Sequence, residues 1–138
     1  MKSGSTRIFL PALLAATLLL AMSCAPAAPG GIDVTVTASG VADGKTGNLQ
    51  IEVYEGSVSV GNLTRFHVNN GYTLASATPY EWSFEDLAPG SHVIRAYLDM
   101  DDDEEQSAGD YIASAGATTV TVLSEMSVPA GVELDSQM

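Results

Sequence analysis

Seven of the twelve residues in DMDDDEEQSAGD, Asp99 to Asp110, are acidic. Oxygen-bearing side chains recur at every second place, Asp99, Asp101, Asp103, Glu105 and Ser107, and Asp110 closes the series. A chain wrapping a cation points alternate side chains inward. These are places 1, 3, 5, 7, 9 and 12 of a twelve-residue calcium loop. Such a donor set is all hard oxygen, which suits Ca2+ and not the softer transition metals. The spacing predicts that Asp99, Asp101 and Asp103 ligate through their carboxylates. Glu105 would act through its backbone carbonyl, Ser107 through a water and Asp110 as the closing ligand. Asp102 and Glu104 are expected to point outward. Two departures weaken the pattern: Glu104 stands where glycine usually makes the sharp turn, and Asp110 replaces a longer bidentate glutamate. They place the expected affinity at the weak, extracellular end, on the order of 0.1–1 mM. The competing reading is a solvated charge run that keeps the chain soluble.

Other chemistry is sparse. His67 and His92 are far apart with no cysteine nearby, and no zinc-like spacing accompanies them. His92 shares a strand face with Ile94 and Ala96, which points to a structural role. No nucleophile elbow and no phosphate-cradling glycine loop occurs. The reading is therefore a non-catalytic protein. Tyr72, Tyr80 and Trp82 fall within eleven residues and offer an alternative function, a stacking platform for a carbohydrate. Trp82 and Phe84, however, alternate toward one face, and core packing is the expected task of both.

The elements that must carry these residues are strands. Ile32, Val34, Val36 and Ala38 alternate with polar residues, as do Leu49, Ile51 and Val53. Ile94, Ala96 and Leu98 repeat the pattern, and so do Val120 and Val122 and the run from Met126 to Leu134. Period-two alternation marks sheets packed on one side. Turn signals at 39–48, 69–71 and 88–90 separate the runs, while 56–61 (GSVSVG) reads equally as strand or loop. About seven short strands predict an all-β, antiparallel β-sandwich over residues 32–138. Ile51, Val53, Trp82, Phe84, Ile94, Ala96, Leu98, Val120 and Val122 are the expected shared core.

Ahead of the domain, Lys2 and Arg7 precede an apolar run from Ile8 to Met22 and then small residues. That is the layout of a secretory signal peptide, here 1–23. The run is interrupted by Pro11 and is short for a bilayer-spanning helix of about 20 residues. Without the leader, three bases stand against 17 acids, a net charge of −14. A nucleic-acid partner is excluded by that sign, and anionic headgroups would repel the domain surface.

Two resemblances follow. LLLAMSC, ending at Cys24, resembles the lipobox of bacterial lipoproteins, although Ala21 stands where leucine is usual. It implies acylation of Cys24, the only cysteine, with residues 24–31 as a lipidated terminus and linker. The expected location is the cell envelope, as an outer-membrane lipoprotein facing the periplasm or the cell surface. The membrane is then a partner through the anchor, with an envelope protein or glycan as a further partner. Separately, Phe84, Leu87, Gly90, Ala96 and Asp99 match the hairpin motif of carboxypeptidase-regulatory-like domains, with His92 in the usual tyrosine's place. GNLQIEVYEG, residues 47–56, is similar to that family's first long strand. The resemblance implies a transthyretin-like (prealbumin-like) sandwich in a mostly non-catalytic family. Hydroxyisourate hydrolases share that fold, but their C-terminal motif has no counterpart in VELDSQM.

Overall fold

The structure, a computed structural model, describes residues 25–138. The leader and Cys24 lie outside the described residues. Nine strands follow one another: β1 (Gly30–Ala38), β2 (Thr46–Glu55), β3 (Leu63–Thr73), β4 (Tyr80–Leu87), β5 (Gly90–Asp99), β6 (Tyr111–Ile112), β7 (Thr118–Val122), β8 (Ser127–Leu134) and β9 (Ser136–Gln137). Seven of them are five residues or longer, and the only helical pieces among the described residues are 3-10 turns at Gly40–Ala42 and Val60–Asn62. Residues 56–59 lead into the second of these turns, which takes up residues 60 and 61, so none of the stretch 56–61 is strand.

The strands form two sheets, one ordered β4-β1-β8 and the other β3-β2-β5-β6-β9, with β7 also on β5. β7 and β6 share one side of β5: β7 pairs with Gly90–Ile94 and β6 with Tyr97 and Leu98. All pairings are antiparallel except β1 with β8, which run parallel from Gly31↔Ser127 to Ala38↔Leu134. β4 and β5 lie in different sheets. The segment that resembles a hairpin is therefore a crossover, with its turn carrying the chain from one layer to the other. The expected linker is also partly docked: Ser124 Oγ donates to the Ala28 carbonyl at 2.9 Å, and Glu125 N donates to Pro29 O at 3.1 Å.

Apolar positions of both sheets meet in one core. Ile32, Val34 and Val36 of β1, with Val132 and Leu134 of β8 beside them in the same sheet, face Leu49, Ile51 and Val53 of β2 and Ile94 and Leu98 of β5; all are at most 4% exposed. Burying each such side chain contributes about 1.5–3 kcal/mol, which is why alternation dictates the layers. Phe84, Ala96 and Val122 join them, and Val120 packs on the rim, partly buried. Trp82 does not. It pairs with Val34 and so points the same way as Phe84, which pairs with Ile32. β4 is the outermost strand of the smaller sheet, and Trp82 hangs over its edge with 40% of its surface exposed.

The outer face of the larger sheet is covered as well. Gln50, Glu52 and Tyr54 of β2 and Val93 and Tyr97 of β5 are buried there. The chain between β5 and β6 folds back over this face, where Tyr97 Oη donates to the Glu104 carbonyl at 3.1 Å.

Candidate metal centre and its surroundings

The acidic stretch is the connection from β5 to β6. Asp99, the last residue of β5, is 1% exposed, and Asp110, just before β6, is fully buried. Both act on the backbone. Asp99 Oδ1 accepts the amides of Asp101 (3.2 Å) and Asp102 (2.7 Å), while Oδ2 accepts the Glu104 amide and Gln50 Nε2, both at 3.0 Å. Asp110 accepts Met100 N at 2.9 Å on Oδ1 and Ser107 N at 2.8 Å on Oδ2. The two aspartates thus staple the ends of the loop. β2 passes close beneath through Gly47, where a Cβ would lie 2.5 Å from the Asp99 carbonyl oxygen.

Within that frame one carboxylate oxygen each from Asp99, Asp101 and Asp103 lie within 4.8 Å of one another. Asp101 and Asp103 are exposed. The turn that glycine would usually make is made by Glu104 itself, at φ 60°, after Asp102 at φ 62°. Asp102 does not point freely outward: its Oδ1 accepts Asn48 Nδ2 at 2.6 Å. Asp103 Oδ1 accepts the Glu105 amide at 2.9 Å. Glu105 is not among the three converging carboxylates; with Glu52, Tyr54, Val60 and Leu63 it lines a groove of about 380 Å3 on the outer face. Ser107 Oγ is buried and has no hydrogen-bond partner.

Electrostatics separates the carboxylates. Burial pushes Asp99 upward, but the amides of Glu104, Asp102 and Asp101 and the Gln50 side chain outweigh it and hold the carboxyl below its ordinary value. Asp101 lies above its ordinary value, through desolvation and then repulsion from Asp103, Asp110 and Asp99. An ionised carboxylate offers about four acceptor sites. All of those on Asp99 are taken, whereas Asp101 is free to ligate. The arrangement can therefore hold a hard cation on Asp101 and Asp103, with Asp99 fixing the loop and contributing charge.

Two other groups of side chains stand out. On the outer face Arg95 Nε donates to Glu52 Oε2 at 2.6 Å, one Arg95 terminal nitrogen donates to Tyr54 Oη at 2.9 Å, and the guanidinium lies 5.5 Å from the ring centres of Tyr54 and Tyr97. Burial, followed by the Glu52 carboxylate, pushes the Tyr54 phenol up to about 12. At the open edge between the sheets, the structure does gather Tyr72, Tyr80 and Trp82, but around a fourth residue. His67 of β3 stacks on Trp82 with ring centres 3.5 Å apart and sits 2.6 Å from Tyr80 Oη through Nε2. Tyr72 meets Tyr80 edge-on at 4.9 Å. Burial lowers the His67 imidazole below its ordinary value, which favours the neutral ring. Sequence reasoning left His67 unassigned, since β3 and β4 belong to different sheets. His92 is 1% exposed, with Nε2 2.8 Å from the Ala88 carbonyl.

No protein-family model and no curated protein matches this chain. Among solved structures it is similar to the pilus-presented adhesin Spy0125 (Cpa), with 11% identity and a TM-score of 0.39 over 80% of this chain. A cysteine variant of that adhesin gives 12% and 0.39, and a further crystal of it 11% and 0.38. The chain spans only 28% of the adhesin's length. A likeness of this size carries no assignment.

Proposed function

We propose that this chain is a lipid-anchored, extracytoplasmic β-sandwich accessory module whose β5–β6 loop takes up a calcium ion. The observation that carries the reading is the convergence of Asp99, Asp101 and Asp103 within 4.8 Å on a loop already held by side-chain-to-amide bonds. The orphaned Ser107 hydroxyl in the same loop adds a donor without a partner. A divalent cation would relieve the repulsion that, after desolvation, holds the Asp101 carboxyl high. Protons compete for the same oxygens, so calcium affinity should fall as pH drops through the raised Asp101 value.

Thermal melting tests the ion. At ten times the dissociation constant, calcium should stabilise the fold by about 1.4 kcal/mol, a few degrees for a domain of this size. Asp101→Asn and Asp103→Asn should abolish the response, while Asp102→Asn should keep most of it. Sodium chloride at matched ionic strength producing the same shift would reduce the loop to a charged surface.

The anchor is tested separately, through Cys24. Palmitate labelling of cells should tag the protein, and Cys24→Ser should remove the tag; a Cys24→Ser chain that keeps lipid would disprove the acylation. Ala25 follows the cysteine, and no aspartate stands there to retain the protein at an inner membrane. Outer-membrane residence follows in a two-membrane cell, with an envelope protein or glycan as partner.

The exposed edge position of Trp82 favours a second reading, a carbohydrate-binding module using Tyr72, Tyr80 and Trp82. Its test is a glycan array with wild type and Trp82→Ala. Binding lost in the variant supports the platform, and a blank array with wild type removes it.

A further inference from the structure

All 17 acids of this chain lie outside residues 56–80, a stretch of 25 whose one cationic side chain is Arg65. That stretch contains the whole of β3, which pairs on one side only, with β2. Its other side is a free edge. Between Thr64 and Asn70, the only side-chain bond to the β3 backbone is from Arg65 to the Thr64 carbonyl. A row of unpaired amides and carbonyls is a template for another strand, and proteins usually blunt it with charge, proline or shortness.

The other edges are blunted in those ways. β4 carries Glu81, Glu85 and Asp86, β8 carries Pro129 and Glu133, and β9 has two residues. β7 is tied to β8 by Thr118 Oγ1, which donates to Gly131 O at 2.9 Å. Over its eleven residues β3 has one such guard, the charge of Arg65, and no proline. Phe66, paired with Glu52 and so on the outer face of its sheet, is 68% exposed. Val58, Val60 and Leu63, in the same stretch, are exposed as well.

We propose that the free edge of β3 is the contact through which two copies of this chain pair, antiparallel, about a two-fold axis. The charge distribution favours that occupant. Two domains of net charge −14 repel, and a contact through the edges of β4 or β8, which carry acids, would bring carboxylates together and remove their water. The acid-free edge is where two such polyanions can touch without burying an acid. A basic partner would be complementary to the faces that carry the acids, not to this one. A two-fold axis places the same patch on both sides and sets the two Phe66 side chains on one continuous outer face.

Sedimentation velocity on the chain from Ala25 onward, which keeps the whole core, tests the contact. Self-association should strengthen as sodium chloride rises from about 50 to about 500 mM, because salt screens repulsion between the remaining carboxylates. Phe66→Glu should raise the dimer dissociation constant at least about tenfold. Val41→Glu, the same charge change on an exposed residue outside the stretch, should alter it no more than about twofold. In wild type, β3 amides should gain hydrogen-exchange protection as protein concentration rises, a readout that holds even if a variant folds poorly. A monomer at every salt and concentration would overturn the proposal. So would association that weakens with salt, equal losses in the two variants, or protection that builds up elsewhere.

Discussion

Phe84→Ala should cost about 3–5 kcal/mol of folding stability, the range for emptying a buried phenylalanine site, whereas Trp82→Ala should cost less than half as much. The two residues sit two apart on one strand and point to the same side of it. Phe84 is 5% exposed inside the core, while Trp82 overhangs the edge and rests on His67. Its loss removes one stacked contact and opens no enclosed cavity. Urea titrations followed by circular dichroism give both values. Equal losses would mean that the sandwich closes over Trp82 and that the aromatic edge is ordinary core.

Trp82 also marks where the sequence stops being informative. Alternation says which way a side chain points but not how far its strand lies from the middle of its sheet. At an outermost strand, the inward direction leads to a rim. For Ile51, Val53, Ile94 and Leu98, on strands with neighbours on both sides, direction and burial coincide. The same limit hides the layer change between β4 and β5, since the turn at 88–90 is compatible with a hairpin or a crossover. The covered outer face had left a signal, because Tyr54, Val93 and Tyr97 are large residues on the side that alternation assigns to water. Arg95, between two of those rings, would have completed it. His67 left none, since its partner lies on the other sheet.

The acidic loop was legible in position and ambiguous in role. An aspartate followed at two, three and five residues by amides it can accept has the same spacing as a cation-wrapping chain. Sequence therefore cannot separate a ligand from a side chain that folds the loop. The geometry does so for Asp99, whose two oxygens hold four donors, and leaves Asp101 and Asp103 facing solvent.

That division of labour predicts unequal costs for neighbouring aspartates. Asp99→Ala should lose about 2–4 kcal/mol, because a charged acceptor is removed from three amides and the buried Gln50 side chain. Asp101→Ala should cost little or be mildly stabilising, since Asp101 is exposed and repelled by Asp103, Asp110 and Asp99. Asp99→Asn should resemble the alanine variant in direction: an amide nitrogen at one of the two positions would face donors instead of accepting from them. The pH dependence gives an independent readout. The Asp99 carboxyl is lower in the folded chain than in the unfolded one. Its stabilisation is complete above the unfolded value near 3.9 and drains away as pH falls through the lower folded value. Asp101 has the opposite sign, its penalty vanishing as acid protonates it. Guanidinium midpoints measured from about pH 2 to 7 should show an acid-side decline in wild type and Asp101→Ala that is flattened in Asp99→Ala. Parallel curves for all three would sink the assignment of Asp99 as the residue that folds the loop, and would return it to the same standing as its exposed neighbours.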